Sequence, residues 1–223
     1  MKKIVIIPAG GKGIRSGYTK PKQFIKVKGK ELIVYSLETF QKNKMVDEII
    51  VSADSSYFKL LQNLKLKYKL TKLRYIVEGG KERQDSVYNA LSSVSANTGD
   101  LIIVHDAVRP LLSSEVLNAA VRTAEDKGNA VVCVKGNNTL ARGTKYIEEY
   151  IPRDNVWYVQ TPQIFRYADL MKAMKKAYEE NYYATDESML VKRIGRKVNI
   201  TEGSNTNFKV TTKEDFQLFK SMV

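Results

Sequence analysis

The sequence predicts an α/β protein in which a mostly parallel sheet carries helices on both faces. Short apolar runs rich in valine and isoleucine alternate along the chain with longer segments whose apolar residues recur at helical spacing. Within Lys2–Pro8 the residues Ile4–Ile7 form a continuous β-branched run, and Leu101–Val104 is continuously apolar, which is the pattern of strands buried on both faces. The chain has 223 residues, of which 43% are hydrophobic, so it can bury a core and a disordered state is excluded.

Seven short apolar segments are expected to be strands of this sheet, because each is rich in β-branched residues and each is separated from the next by a helical or polar segment. The expected strands are Lys2–Pro8, Asp47–Ser52, Leu73–Val77, Leu101–Val104, Ala130–Val134, Asp154–Gln160 and Lys197–Ile200.

Helices are expected between the strands, where apolar residues recur every three or four positions and capping residues precede the run. Ser113 or Ser114 can cap one helix, and Thr212 opens the last one. The expected helices are Glu31–Phe40, Tyr57–Leu70, Arg83–Val94, residues 113 or 114 to about 127, Tyr167–Glu180, Asp186–Ile194 and Thr212–Met222.

Residues 136–152 interrupt this alternation with a polar segment that contains two short β-like pieces, Asn138–Arg142 and Tyr146–Ile151. The pattern predicts a hairpin arm that projects from a single domain spanning residues 1–223. A lone hairpin buries little apolar surface, so we expect the arm to pack on a second subunit and form a homodimer.

Composition excludes several classes of protein. No apolar run approaches the roughly 20 residues that cross a bilayer. Cys133 is the only cysteine and His105 the only histidine, so an internal disulfide and the common zinc sites are excluded, and a reducing cytoplasm is expected. The net charge of +13 leaves nucleic-acid binding as an alternative, but the lysines are scattered and no finger or RNP motif is present. The charge equally suits small anionic substrates.

A glycine-rich segment, residues 8–13, directly follows the first strand, and Arg15 and Lys22 add positive charge to it. Glycines let backbone N–H groups approach phosphate closely, and ligands of open α/β sheets lie beyond the carboxyl ends of strands. The segment matches neither a Walker loop nor G-x-G-x-x-G. A tight structural turn is the alternative to a phosphate site.

A second segment at a strand end, Val104–Pro110, contains His105, Asp106 and Arg109. An aspartate there can hold Mg²⁺ together with substrate phosphates, and Arg109 can bind phosphate with two nitrogens. The alternative for Asp106 is a turn cap. For His105 we favour a hydrogen-bonded structural role over that of a general base.

Later segments carry weaker signals. The Glu78–Val87 segment joins a diglycine to Ser86, and these groups can read a nucleobase edge or merely cap a helix. The remaining polar segments each have an ordinary structural explanation, such as Thr185 capping a helix whose first turn favours acidic residues. They are residues 152–153, 160–163, 184–187 and 207–212.

Taken in order, these segments resemble the cytidylyltransferase family that makes CDP-activated polyol phosphates. The shared motifs are A-G-G-K-G-x-R…P-K-Q-F, G-G-x-x-R-x-x-S-V, I-I-V-H-D-A-V-R-P, Q-T-P-Q-x-F, T-D-E and E-G…N-x-K-V-T-x-x-D, and they run from residue 9 to residue 215. The resemblance implies a Rossmann-like nucleotidyltransferase fold, a homodimer, Mg²⁺, and transfer of CMP from CTP to a polyol phosphate with release of pyrophosphate.

The resemblance also implies roles for individual residues. Arg15, Lys22, Lys209 and Asp106 would be catalytic, and Asp106 would hold Mg²⁺. The nucleotide would contact Pro8, Ala9, Gly10, Gly11, Lys12, Gly13, Gly80, Asp85, Ser86 and Ala107. The acceptor would contact Arg109, Thr139, Arg153, Thr161, Thr185 and Asp186, with Thr139 and Arg153 reaching across from the partner's arm.

The acceptor is expected to be 2-C-methyl-D-erythritol 4-phosphate, with ribitol 5-phosphate as the alternative. Ser86 and the Thr185–Glu187 motif favour the methylerythritol branch over the ribitol branch. The arm departs from the family pattern, since Asn138 and Ala141 stand where the family usually has aspartate and lysine. The missing lysine puts acceptor binding in doubt, although Arg142 is adjacent.

Overall fold

A computed structural model describes residues 1–11 and 20–223 of the chain. Within these residues a seven-stranded sheet has the strand order β5-β4-β1-β6-β10-β7-β11. The sheet strands are β1 (Lys3–Pro8), β4 (Glu48–Ala53), β5 (Leu73–Glu78), β6 (Leu101–Val104), β7 (Asn129–Lys135), β10 (Trp157–Arg166) and β11 (Ile200–Glu202). Only β10 runs antiparallel to its neighbours β6 and β7 in this set, so the sheet is mostly parallel.

Helices cover both faces of the sheet, which confirms the predicted fold class. Strand β1 shows the division, because Val5 and Ile7 pack on one face while Ile4 and Ile6 pack on the other. The first face is covered by α1 (Leu32–Lys42), α2 (Phe58–Lys67) and α4 (Ser114–Lys127). The second is covered by α3 (Arg83–Ser92), α5 (Tyr167–Glu179) and α6 (Glu187–Arg193). The last helix, α7 (Lys213–Met222), packs in a smaller cluster at one side.

Two small hairpins lie outside the main sheet. The first, β2 (Lys26–Val27) and β3 (Lys30–Glu31), was not predicted; Lys28 and Gly29 both have positive φ in its two-residue turn. The second pairs β8 (Leu140–Gly143) with β9 (Ile147–Ile151) and lies within residues 136–152, the segment called the arm below.

The predicted strand Asp154–Gln160 was wrong in its limits. Residues 153–155 form a short 3₁₀ helix, and β10 continues through the Q-T-P-Q motif to Arg166. Proline lacks an N–H group and normally interrupts a strand, which explains the early predicted end. Here Pro162 lies at an irregularity, where the register with β7 shifts between Val159 and Gln163, so the strand tolerates it.

Other boundaries differ by a few residues. The last predicted strand, Lys197–Ile200, is instead Ile200–Glu202, where the chain pairs with Val131–Cys133 of β7. The predicted helix Tyr57–Leu70 is shorter at both ends, because residues 55–57 form a 3₁₀ turn capped by Asp54. Among residues 1–11 and 20–223, no helix is long and apolar enough to cross a membrane.

Candidate active site

The loops that follow β1, β4, β5 and β6 meet at one edge of the sheet and surround a cavity of about 560 Å³. This volume suits a small-molecule ligand, and the carboxyl ends of parallel strands are where α/β proteins bind ligands. The lining includes two glycine pairs, Gly10–Gly11 and Gly79–Gly80, and several charged side chains. The charged residues in the lining are Lys22, Asp54, Glu78, Lys81, Glu82, Arg83, Asp106 and Lys209.

The glycine pairs approach each other closely across Ser86. The backbone N–H of Gly80 donates to the Ser86 hydroxyl at 3.0 Å, and this hydroxyl in turn donates to the Glu82 carbonyl at 3.2 Å. A Cβ atom on Gly80 would lie 2.1 Å from the Cβ of Asp85, so no larger residue fits there without a backbone shift. A Cβ on Gly10 would lie 3.2 Å from the Ser86 hydroxyl. Gly80 is therefore required by its own turn, and a side chain on Gly10 would press on Ser86.

The loop after β1 is held from inside by Gln23, whose importance the sequence did not reveal. Its side-chain amide is buried and donates to the carbonyls of Ala9 and Gly11. The N–H of Ala9 donates to Ser52 of β4 at 2.7 Å, which continues the strand pairing into the loop. These contacts fix the backbone of residues 9–11 at the mouth of the cavity.

Asp106 lies at the floor of the cavity and contacts three basic side chains among the described residues. The distances are 3.2 Å to Arg83 Nε, 3.4 Å to Arg109 Nε and 3.0 Å to Lys209 Nζ. Burial alone would raise the pKa of Asp106, but Arg83, Lys209 and Arg109 hold it well below the usual range. The carboxylate is therefore ionised at neutral pH. The described contacts of the carboxylate are with this charge cluster.

His105 supports Asp106 from beneath and is fully buried. Its Nε2 lies 3.1 Å from the carbonyl of Arg109, which can only accept, so Nε2 carries the proton. Its Nδ1 then accepts from the hydroxyl of Thr161, and that hydroxyl accepts from the N–H of Asp106. Burial lowers the pKa of His105 to about 4, which keeps the ring neutral. The structural role favoured for His105 agrees with this geometry.

Arg109 lies beside the cavity and does not line it. Besides its contact with Asp106, its Nη1 donates to the carbonyl of Asn207 at 2.8 Å. Asn207 is itself buried and donates to the carbonyl of Thr161 and to Gln160. Thr161 and Arg109 thus belong to the support of Asp106.

The structure places the predicted site residues in three groups. The predicted residues that line the cavity are Pro8, Ala9, Gly10, Gly11, Lys22, Gly80, Ser86, Asp106, Ala107 and Lys209. The predictions for Lys12, Gly13 and Arg15 lie outside the described residues. The predicted residues that do not line the cavity are Asp85, Arg109, Thr139, Arg153, Thr161, Thr185 and Asp186.

Asp85 points away from the cavity, so the structure does not bring it to the position expected of a nucleotide-binding residue. Its carboxylate accepts from the N–H of Glu82 at 2.9 Å and from the hydroxyl of Tyr178 at 2.7 Å. The first contact caps α3, which is the helix-capping alternative for this segment. Asp85 lines a separate shallow pocket with Tyr88 and Tyr178.

The expected acceptor residues are spread over two other places. Thr139 and Arg153 lie in or beside the arm, where Arg153 Nη1 donates to the Asn137 carbonyl. Thr185 and Asp186 lie at the start of α6, and Asp186 caps that helix by accepting from the N–H of Met189. Within one chain, these residues are not part of the described cavity.

Arg83 and Glu187 belong to the charge cluster, but the sequence did not single them out. Arg83 Nη1 lies 2.7 Å from Glu187 Oε1, and Glu187 is only 1% exposed. Both residues stand inside the shared motifs, yet they are 104 positions apart. Glu187 was not singled out because acidic residues are common in the first turn of a helix. Arg83 is the first residue of α3, where a positive charge opposes the helix dipole, and this was the available signal.

Comparisons with known proteins extend over almost the whole chain. Residues 3–223 match the family model described as 2-C-methyl-D-erythritol 4-phosphate cytidylyltransferase. A relative of that name from Clostridioides difficile is 37% identical over 225 residues, covering 98% of this chain and 92% of its own. The relative from Syntrophus aciditrophicus is 35% identical over 225 residues, covering 100% and 96%.

Solved structures of the same name share the fold. The Francisella tularensis protein has a TM-score of 0.85 and 30% identity, with 100% of both chains covered. The Thermus thermophilus protein has a TM-score of 0.82 and 29% identity, covering 100% of this chain and 98% of the other. Sequence, fold and motif order agree, and the chain belongs to the 2-C-methyl-D-erythritol 4-phosphate cytidylyltransferase family.

Proposed function

We propose that the protein transfers CMP from CTP to 2-C-methyl-D-erythritol 4-phosphate and releases pyrophosphate, a step of non-mevalonate isoprenoid precursor biosynthesis. The single observation that carries the proposal is the cavity at the sheet edge, where two glycine pairs face the Asp106 cluster. Family membership supplies the substrates, and the comparisons favour this interpretation over nucleic-acid binding.

The chemistry needs charge and position more than proton transfer. An oxygen of the acceptor's phosphate attacks the α-phosphorus of CTP, the bond from the α-phosphorus to the bridging oxygen breaks, and pyrophosphate leaves with that electron pair. The nucleophile is already an anion, so no general base is required. A buried neutral His105 outside the cavity lining is consistent with such a reaction.

The cavity supplies positive groups for the charge that builds up during this attack. Lys22 and Lys209 both line it, and Arg15 joins them in the proposal from the family motif. Gly10–Gly11, with Lys12 and Gly13, would surround the triphosphate, because backbone amides and a strand end favour phosphate. Gly80, Ser86 and Ala107 would contact the nucleoside. Such preorganised donors typically contribute a factor of roughly 10²–10³ each.

The proposed cofactor is Mg²⁺ at Asp106. Among the described residues no cluster of three or more histidine, cysteine or acidic side chains could hold a metal ion alone. A single ionised carboxylate at the cavity floor still fits Mg²⁺, which commonly takes one or two carboxylates plus substrate phosphates. When bound, the ion would neutralise phosphate charge. Lys209, 3.0 Å from Asp106, would share that task from the protein side.

The arm is proposed to complete the acceptor site in a homodimer. Tyr146, Ile147 and Tyr150 are between 60% and 83% exposed in the single chain, and an apolar surface of this kind suits burial against a partner. Thr139 and Arg153 would then contact the acceptor's phosphate in the partner's site, with Arg109, Thr161, Thr185 and Asp186 on the near side. We propose that residues 1–223 form a single domain. A cytoplasmic location fits the single buried Cys133.

An acceptor and nucleotide panel tests the proposal. The protein is mixed with Mg²⁺, each of the four nucleoside triphosphates, and either methylerythritol phosphate or ribitol 5-phosphate, and pyrophosphate is measured. We expect release with CTP and methylerythritol phosphate only. Release with ribitol phosphate alone would favour the sister activity, for which Asn138 and Ala141 are the relevant departures. No release with CTP and either acceptor would refute the proposal, provided that the protein is folded.

A further inference from the structure

The ion pair between Arg83 and Glu187 divides the contacts of one guanidinium group between two carboxylates. Arg83 Nη1 donates to Glu187 Oε1 at 2.7 Å, whereas Arg83 Nε donates to Asp106 Oδ1 at 3.2 Å. Arginine usually binds a carboxylate with two parallel hydrogen bonds. Glu187 binds Nη1, which draws that side of the guanidinium group away from Asp106, and the contact with Asp106 is made through Nε.

Glu187 is held rigidly in this position. The neighbouring N–H groups of Ala184 and Ser188 donate to the side chains of Gln84 and Gln163, both at 2.9 Å. Gln84 follows Arg83 directly on α3, so the same helix fixes both members of the ion pair. These hydrogen bonds hold the backbone beside Glu187, and burial of its side chain, which is 1% exposed, restricts the carboxylate.

Packing does not explain why a glutamate occupies position 187, because burying its carboxylate lowers the stability of the fold. Its side chain is 1% exposed, and its second oxygen, Oε2, has no hydrogen-bond partner among the residues that the structure describes. A buried charged oxygen without a partner destabilises a fold, and an apolar residue of similar size would avoid this cost. The position of Arg83 at the start of α3 adds a second unfavourable contact with the helix dipole.

Glu187 lowers the net positive charge around Asp106. Arg83, Arg109 and Lys209 face the two carboxylates of Asp106 and Glu187, which leaves a net charge of +1 in the cluster. Without Glu187 the same cluster would carry +2, and Arg83 would lose the carboxylate that draws its Nη1 away from Asp106. Both changes oppose the approach of a cation to Asp106.

We infer that Glu187 is a positioning residue that acts through Arg83 and keeps the Asp106 carboxylate available to a divalent cation bound with the nucleotide. The inference rests on the proposed function, because it concerns the same site. Glu187 itself does not touch the substrate. It restrains the guanidinium group, and Asp106 retains acceptor capacity toward the cavity.

The test measures the affinity of the protein for Mn²⁺ by electron paramagnetic resonance, in the presence of saturating CTP. Glu187→Gln keeps the size of the side chain and removes the charge, and we expect a roughly 10- to 100-fold weaker Mn²⁺ affinity. Glu187→Asp keeps the charge and should lie between this variant and the wild type. Thermal unfolding shows that each variant is folded.

A double variant separates positioning from a general structural role. The Arg83→Gln/Glu187→Gln variant lacks the guanidinium group that would move toward Asp106, and the net charge of the cluster returns to +1. We expect Mn²⁺ affinity near the wild-type value. The matched control is Glu180→Gln, which breaks an exposed glutamate–arginine pair with Arg193 away from the cavity lining and should leave Mn²⁺ affinity unchanged.

Two results would overturn the inference. One is wild-type Mn²⁺ affinity in a folded Glu187→Gln variant; the other is a double variant as weak as the single one. If the wild type binds Mn²⁺ with CTP and releases pyrophosphate, such a result refutes only the role of Glu187. If the wild type neither binds Mn²⁺ with CTP nor releases pyrophosphate, the proposed function is refuted and the role of Glu187 with it.

Discussion

Replacing Asp106 with asparagine should weaken both the fold and the reaction, whereas replacing Lys209 with methionine should weaken mainly the reaction. The Asp106 side chain is 9% exposed and contacts Arg83, Arg109 and Lys209. Asparagine has the same size but no charge, so the substitution tests the ion pairs without leaving a cavity.

The stability loss in Asp106→Asn depends on which partners the three basic side chains keep. Arg83 keeps Glu187, and the Lys209 side chain, 40% exposed, can turn toward water. Arg109, 12% exposed, loses its contact with the Asp106 carboxylate and keeps its hydrogen bond to the Asn207 carbonyl. One largely buried unpaired charge corresponds to about 2–4 kcal/mol of unfolding free energy. For a chain of this length the melting temperature would fall by roughly 5–15 °C.

Lys209→Met is the matched comparison, because Lys209 is 40% exposed and Asp106 keeps Arg83 and Arg109 in this variant, so we expect a stability loss of less than about 1 kcal/mol. We expect both variants to lose at least about 10²-fold in the rate of pyrophosphate release. Unfolding in urea and the pyrophosphate assay measure the two effects separately. Unchanged stability in Asp106→Asn, or a larger stability loss in Lys209→Met, would refute this ranking of the contacts.

Three further predictions concern other parts of the molecule. Because burial lowers the pKa of His105 from 6.5 to about 4, the unfolded chain binds this proton first, and unfolding free energy should fall by about 2 kcal/mol from pH 7 to pH 5; urea titrations should show this slope in the wild type but not in His105→Gln. Gly80→Ala should raise the KM for CTP and cost about 1–3 kcal/mol, because its Cβ would overlap Asp85, while Gly99→Ala, with nothing described within 4 Å, should match wild type in both assays. Mixing chains inactivated by Lys22→Ala with chains inactivated by Arg153→Ala should restore activity through hybrid dimers, and no recovery despite demonstrated subunit exchange would mean that each site uses one chain.

The fold could be predicted from local patterns because the apolar runs of its core strands indicate burial directly. In β1, the run from Ile4 to Ile7 is buried on both faces, as a continuous apolar run implies. The Q-T-P-Q motif was harder, because Pro162 indicates a strand end while the pairing of Ile164 and Phe165 with β6 keeps the strand going. Tertiary pairing decided the outcome there.

Some residues of the candidate site could likewise be predicted from the sequence, and others could not. The strand-end positions of Gly10, Gly80 and Asp106 could be predicted, because topology alone brings carboxyl ends together. The Arg83–Glu187 pair could not, since it depends on how α3 and α6 pack on the same face of the sheet. The cap that Asp85 forms on α3 could not be told from a ligand contact, because capping and ligand binding use the same residue types near a helix start.

A crystal structure with bound CTP tests the central claim most directly. The triphosphate should lie between Gly10–Gly11 and Lys22, within reach of Lys209 and Asp106, and the cytosine should lie against Gly79–Gly80 and Ser86. A nucleotide bound outside this cavity, far from Asp106, would contradict the proposed site and the mechanism built on it.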